Sequence, residues 1–230
     1  MSTQTPPPIE PRVHEGDGAR HEPASALRRL RKRAGETWLK AFDWSVAGSA
    51  PKVDRAVIIA APHTSNWDLP FMLAIAWALD IDIRWIGKHT LFKPPFGPLM
   101  KLLGGLPVDR RARHNAVDAA AALIKEYEAR DERLLLVVPP EGTRGRAGRW
   151  KTGFYWIAKE AHVPVVLGFL DYAHKRGGLG EVFDLSGDID ADFRAIVDFY
   201  SPIKGKFPDQ QGAVTLHVEN RPQPTSASSE

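Results

Sequence analysis

The stretch AVIIAAPHTSNWDLPFMLAIAWAL (residues 56–79) decides the fold class. Residues 56–62 are a short, unbroken apolar run, the pattern of a strand buried on both faces. Pro62 ends the run, and Ser65 and Asn66 favour a turn or the cap of a following helix. Residues 68–79 then read as that helix. The same alternation continues outward from this unit. IRWIG (83–87) reads as a strand, 112–130 as an Ala-rich helix and LLLVV (134–138) as a third strand. Gly153–Ala161 reads as a helix, VPVVLGFLDY (163–172) as a fourth strand, Ala191–Tyr200 as a helix and AVTLHVE (213–219) as a last strand. Strands alternating with helices imply an α/β domain built on one mostly parallel sheet. Sites in such folds gather at the carboxyl ends of strands, and His63 and Glu141 both follow strands directly.

Upstream, ALRRLRKRAGETWLKAFDW (26–44) reads as a basic amphipathic helix. Leu27, Leu30, Ala34, Trp38 and Ala41 share one face at 100° per residue, with Arg28, Arg29, Lys32, Arg33 and Lys40 mostly on the other. Two readings stand side by side: a helix lying in a membrane interface, or one docked on its own core with a solvated basic face. Residues 1–25, rich in proline and without an apolar segment, read as a disordered leader and not a secretory signal. Residues 221–230 read as a disordered tail, which leaves 26–220 as one domain. The longest apolar candidate for a span, Leu69–Leu79, runs into Asp80 and Asp82 and is too short to cross a bilayer. The expected location is therefore cytoplasmic, peripheral to a membrane.

The chain of 230 residues has no cysteine, which rules out disulfides, thiolate zinc sites and a thiol nucleophile. No metal site and no bound cofactor are expected. The net charge of +3 is modest, but its placement is uneven. Residues 83–117 carry seven Lys or Arg against one acid, Asp109, and residues 139–151 carry four against Glu141. Such an excess points to an anionic partner: a phosphate ester, an acidic lipid or nucleic acid. Nucleic acid is not the expected one, because no zinc-finger, helix-turn-helix or RNA-recognition signature is present.

Three stretches carry the chemistry. In the first, His63 precedes Asp68 by five residues. With eight histidines in the chain, chance gives about half a match to this H-x4-D spacing, so it carries little weight alone. On a helix the two side chains would stand about 140° apart. The turn supplied by Pro62, Ser65 and Asn66 lets Asp68 fold back on His63, fixing its tautomer and freeing the other ring nitrogen as a base. The second stretch, GKHTLFKPPFGPLMKLLGGLPVDRR (87–111), mixes glycine, proline and apolar residues with Lys88, Lys93, Arg110 and Arg111, cations suited to a phosphate. The third, PPEGTRGRAGRWKTG (139–153), offers Arg144 as a fork for phosphate oxygens and Gly142 for close backbone approach. Glu141 there reads as an orienter of Arg144 or a partner for a substrate hydroxyl. It is not a Walker loop.

Together and in this order, these stretches resemble the phospholipid/glycerol acyltransferase family, whose best-known members are the 1-acylglycerol-3-phosphate acyltransferases. The resemblance covers about residues 42–205. His63 and Asp68 match the family's H-x4-D block, GKHTLF…PFGPLMKLLGGLPVDR its second, PEGTR (140–144) its third and VPVVLGFLDY its fourth. It implies a mixed, mostly parallel sheet flanked by helices, of the glycerol-3-phosphate acyltransferase type, with the 26–44 helix on a membrane. It also implies transfer of a fatty acyl group from an acyl thioester to a lysophospholipid hydroxyl, with His63 as general base and Asp68 as its orienter. The thioester donor is acyl-CoA or acyl carrier protein. Lys88, Arg110 and Arg144 become candidates for the acceptor phosphate, with Glu141, Gly142 and Thr143 shaping that pocket. Pro62, Thr90 and Leu167 depart from residues common in the family, which leaves the acceptor open between 1-acylglycerol-3-phosphate, another lysophospholipid, a lyso-aminolipid and a polyol. The rival class is a non-catalytic binder of anionic lipid or nucleic acid, and an intact H-x4-D pair weighs against it.

The remaining signals read as structure. His14, His21, His114, His162, His174 and His217 have no matching acidic partner in the sequence. Trp67, Trp77, Trp85, Trp150 and Trp156 read as packing residues, with Trp67 also a candidate wall of the site. Phe71, Met72 and Leu73 read equally as core or as the lining of an acyl pocket.

Overall fold

The computed structural model describes residues 25–108, 113–146 and 148–215. In chain order the elements are α1 (Ala26–Ala41), β1 (Ser45–Ala47), β2 (Arg55–Ala61), α2 (Asp68–Ala78), β3 (Ile83–Lys88), a 3-10 turn (His89–Phe92), α3 (Gly97–Leu102), β4 (Gly105–Val108), α4 (Arg113–Ala129), β5 (Leu134–Val138), α5 (Gly153–Ala161), β6 (Val165–Asp171), β7 (Arg176–Phe183), α6 (Ile189–Tyr200) and a second 3-10 turn (Pro208–Gln210). The strands form one seven-stranded sheet in the order β1-β7-β6-β2-β5-β3-β4. Every neighbouring pair is parallel except β6 with β7. The sheet is mostly parallel, as the alternating pattern implied, and mixed, as the family resemblance implied.

The central strands β2, β5 and β6 are buried along nearly their whole length because helices cover both faces. On one face α4, α5 and α6 pack Ile124, Phe154, Tyr155, Ile196 and Tyr200 against Val57, Ile59, Leu136 and Val165. On the other, α2 lies over Ile58, Leu135 and Val137. Helix α2 is apolar nearly all round, so it needs a cover on its outer side as well. Helix α1 supplies it, with Leu39 against Phe71, Ala74 and Ile75.

Helix α1 docks through a stripe beside the one its periodicity singles out. Arg28 binds Asp80 (Nε to Oδ1, 2.6 Å), Arg31 binds Asp82 (3.3 Å), and Gly35 and Leu39 are buried. Leu27, Leu30, Ala34 and Ala41, four of the five residues of the expected apolar face, remain exposed. The helix is thus docked on its own core and still shows an apolar strip.

Three strands escape the sequence pattern. β7 is glycine-rich, β1 has three residues, and β4 carries Pro107, tolerated because β4 is an edge strand. The expected last strand is not formed at residues 213–215, and 216–219 lie outside the described residues. Segment 213–215 is tied instead to the loop after β5, where Trp150 N–H donates to the Thr215 carbonyl (2.7 Å). Residues 1–24 of the expected leader (1–25), the tail and Arg110 also lie outside the described residues, while Ser25 caps α1 by accepting the Arg28 N–H.

Candidate active site

The site is assembled by strand register. Ile59 of β2 is level with Val138 of β5 on one side and Leu167 of β6 on the other. His63 and Glu141 therefore emerge beside each other from neighbouring tips, although 78 residues separate them. Tyr172, just past β6, comes level with the turn after β2 in the same way.

The turn from Pro62 to Asp68 closes on the Asp68 carboxylate. Its Oδ2 accepts from His63 Nδ1 (2.9 Å), Thr64 N–H (3.0 Å) and Ser65 N–H (2.9 Å). Its Oδ1 accepts from the Tyr172 hydroxyl (2.8 Å). With both oxygens engaged, the carboxylate is fixed in orientation. Helix α2 starts at Asp68 with Trp67 at its N-cap position and no side-chain cap, so neither Ser65 nor Asn66 caps it. Ser65 instead accepts the Trp67 N–H on its Oγ (3.1 Å) and holds the turn. An acceptor carboxylate opposite Nδ1 places the imidazole proton there and leaves Nε2 as the basic nitrogen.

Glu141 faces inward. Its Oε2 accepts the His63 backbone N–H (2.7 Å), and the residue is 4% exposed. Burial raises its pKa from 4.5 to about 7, against the lowering effect of that hydrogen bond and of His63, with Asp68 adding to the rise. Burial and the Asp68 charge likewise push the Tyr172 phenol far above its ordinary range, which keeps it a donor.

A cavity of about 660 Å³ opens beside this turn. His63, Ser65, Lys88, Gly142, Thr143 and Arg144 line its polar end. From there it runs between α2 and the sheet, past Leu69, Met72, Ile75 and Ala76 on the helix and Ile58, Ile83 and Val137 on the strands. Met72 lines it, whereas Phe71 belongs to the aromatic cluster with Trp44 and Tyr172. Gly142 adopts a left-handed conformation (φ +66°), which turns the loop after β5 toward the mouth. Of the residues singled out in sequence, the structure gathers His63, Asp68, Lys88, Glu141, Gly142, Thr143 and Arg144.

It adds others. Residues 203–211 form a strap against the H-x4-D turn and the loop after β5. Phe207 N–H donates to Thr64 Oγ1 (3.2 Å), and the Gln210 side-chain amide, suitably oriented, donates to the Thr64 (3.3 Å) and Arg144 (3.0 Å) carbonyls. Lys206 lies over the rings of Tyr172 (5.5 Å) and Trp67 (5.9 Å). No periodicity or spacing marks these residues. His174 corrects an expectation: it has an acidic partner, with Nδ1 2.8 Å from Asp171 Oδ2. Arg176 Nε donates to the same oxygen (3.2 Å). Burial tends to raise the pKa of Asp171, but these donors bring it below the ordinary range. Among the described residues, no cluster of three or more His, Asp or Glu could hold a metal, and no helix is long and apolar enough to cross a membrane.

A histidine–aspartate pair thus stands at a sheet tip, beside a cavity with Lys88 and Arg144 at its polar end and an apolar interior. A family model described as Acyltransferase matches residues 44–166. The chain is 28% identical to the 1-acyl-sn-glycerol-3-phosphate acyltransferase of Limnanthes douglasii over 141 residues, 60% of this chain and 48% of the relative. It is 35% identical over 114 residues to the enzyme of the same name from Salmonella typhimurium, covering 47% and 44%. It thus spans just under half the length of these curated relatives. The crystal structure of the 1-acyl-sn-glycerophosphate (LPA) acyltransferase PlsC from Thermotoga maritima shares the fold, with a TM-score of 0.52, 21% identity, and coverage of 75% of this chain and 76% of that one. The chain belongs to the Acyltransferase family.

Proposed function

We propose that this protein is an O-acyltransferase that moves a fatty acyl group from a thioester to the free hydroxyl of a lysophospholipid such as 1-acylglycerol-3-phosphate. The observation that carries the reading is the His63–Asp68 pair at the mouth of the apolar cavity. In the reaction, the acceptor hydroxyl gives its proton to His63 Nε2 as its oxygen attacks the thioester carbonyl. The tetrahedral intermediate collapses, the C–S bond breaks, and the imidazolium returns the proton to the leaving thiolate. Asp68 stabilises the imidazolium, and Tyr172 and the Thr64 and Ser65 amides hold Asp68. A positioned base of this kind contributes about 10²–10⁴-fold.

Lys88 and Arg144 are the cations for the acceptor phosphate, joined in this proposal by Arg110. Gly142 and Thr143 shape that end, and Glu141 holds the His63 backbone. The apolar interior takes a fatty chain, worth about 0.8 kcal/mol for each buried methylene. Ser65 serves the turn, which favours direct transfer over an acyl-serine. The exposed strip of Leu27, Leu30, Ala34 and Ala41 on a basic helix supports membrane contact through residues 26–44.

The test is thioester release with an acceptor panel: 1-acylglycerol-3-phosphate, other lysophospholipids, a lyso-aminolipid and a polyol. Each is run with acyl-CoA and with acyl carrier protein as donor, on wild type and His63→Ala. Release should require a phosphorylated lyso acceptor and vanish in the variant. Release that survives in His63→Ala would remove the base assignment. Absence of release with every pair would favour a binding role.

A further inference from the structure

The segment between β3 and β4 has two apolar faces, and only one of them is covered. On the inner face Phe92 stacks on Trp85 (centroids 5.9 Å), and Met100 and Leu103 join the cluster beneath α2. Trp85 Nε1–H donates to the Leu103 carbonyl (2.8 Å). Gly97 sits so close under the Phe92 carbonyl that no side chain fits there. These contacts fix the pose of the segment. On the outer face Leu91, Phe96, Leu99 and Leu102 are 46%, 66%, 47% and 71% exposed. Positions 96, 99 and 102 follow one face of a helix, and Leu91 joins them from the 3-10 turn. A helix apolar on opposite sides is ordinarily buried on both. Large residues exposed together in this way mark an interaction surface.

Charge identifies what covers it. From Ile83 to Val108 there is no acidic residue, and Lys88, Lys93 and Lys101 are all exposed. An apolar tip ringed by lysines suits the boundary between anionic headgroups and acyl chains, where each lysine gains from the surface potential. The same segment also walls the cavity, through Lys88, Thr90, Leu91 and Met100. We propose that Leu91, Phe96, Leu99 and Leu102 insert into an anionic bilayer, with Lys93 and Lys101 against its headgroups, so that the cavity mouth opens at the membrane. This surface is distinct from the exposed strip of α1. The opening of the mouth toward lipid rests on the acyltransferase reading. The insertion itself does not.

The experiment is co-sedimentation of the full chain with vesicles of phosphatidylcholine containing about one-third phosphatidylglycerol, and with pure phosphatidylcholine. Phe96→Ser/Leu102→Ser should weaken binding about tenfold or more on the anionic vesicles. Lys93→Gln/Lys101→Gln should weaken it only on those vesicles, and most at low salt. Leu27→Ser/Leu30→Ser reads the α1 strip separately, and His63→Ala should bind as wild type does. In the transfer assay, Phe96→Ser/Leu102→Ser should lose activity on a vesicle-embedded acceptor and keep it on a soluble short-chain one. Unchanged vesicle binding in that variant overturns the proposal. So does a wild-type dimer in solution that the same substitutions dissociate, since a second copy would then cover the patch. Absence of transfer by wild type with every acceptor, with vesicle binding lost as expected, would sink the enzymatic reading and leave the insertion standing.

Discussion

Glu141 makes stability fall as pH rises, by an amount set by its burial. In the unfolded chain its carboxyl titrates near 4.5, and in the folded protein near 7. Between those values the native state holds a proton that the unfolded state has lost. Unfolding free energy must therefore decline as pH climbs through that window, and level off above it. At about 1.4 kcal/mol per pH decade, the window corresponds to about 3 kcal/mol. Glu141→Gln keeps an oxygen for the His63 N–H and cannot ionise. Urea unfolding of both proteins from about pH 4 to about pH 8 isolates the effect, because their other titrating groups are shared. The variant should gain about 3 kcal/mol relative to wild type across that range, nearly all of it below pH 7. A difference constant to within about 0.5 kcal/mol would refute the reasoning, since it would mean that the buried carboxylate is solvated or otherwise paired.

Three further outcomes check the site. Tyr172→Phe removes the donor on Asp68 Oδ1, so kcat should fall about tenfold with the acceptor KM unchanged, the mark of a residue acting through the aspartate. Gly205→Ala would put a Cβ 2.7 Å from Thr64 Oγ1 and 2.9 Å from its Cγ2, forcing the strap off the H-x4-D turn. Thermal melts should show a loss of about 1–3 kcal/mol, with a larger proportional loss of turnover. Ala76 lines the cavity from α2, so Ala76→Leu should shift preference toward shorter acyl chains in competition between thioesters of different length.

What the sequence made legible follows from what each signal depends on. β2, β5 and β6 read as unbroken apolar runs because a parallel sheet covered on both faces leaves no polar position. The stripe by which α1 docks is not marked in the sequence, because it depends on Arg28 and Arg31 finding Asp80 and Asp82, and on a glycine at the crossing. Hydrophobic periodicity is blind to both. The pairing of His174 with Asp171, three residues earlier, carries no sequence signal, because a strand end and the bend after it bring the two side chains together. Glu141, Tyr172 and the 203–211 strap were harder still, since their partners are fixed by register and not by spacing.

That register also explains why stretches so far apart in the chain act as one site. The H-x4-D turn follows β2, the EGTR loop follows β5, Lys88 ends β3, and Tyr172 follows β6. In the sheet these four strands are adjacent, in the order β6-β2-β5-β3. The H-x4-D spacing taken alone sits near chance, and the coincidence of the stretches gains meaning once the strand tips are set side by side. A slip of one residue between β2 and β5 would move Glu141 by about 3.3 Å along the strand and reverse the face its side chain takes. The His63 N–H, part-buried, would then lose its 2.7 Å acceptor. The apolar pairs Val57–Leu136 and Ile59–Val138 are thus what hold His63 and Glu141 side by side.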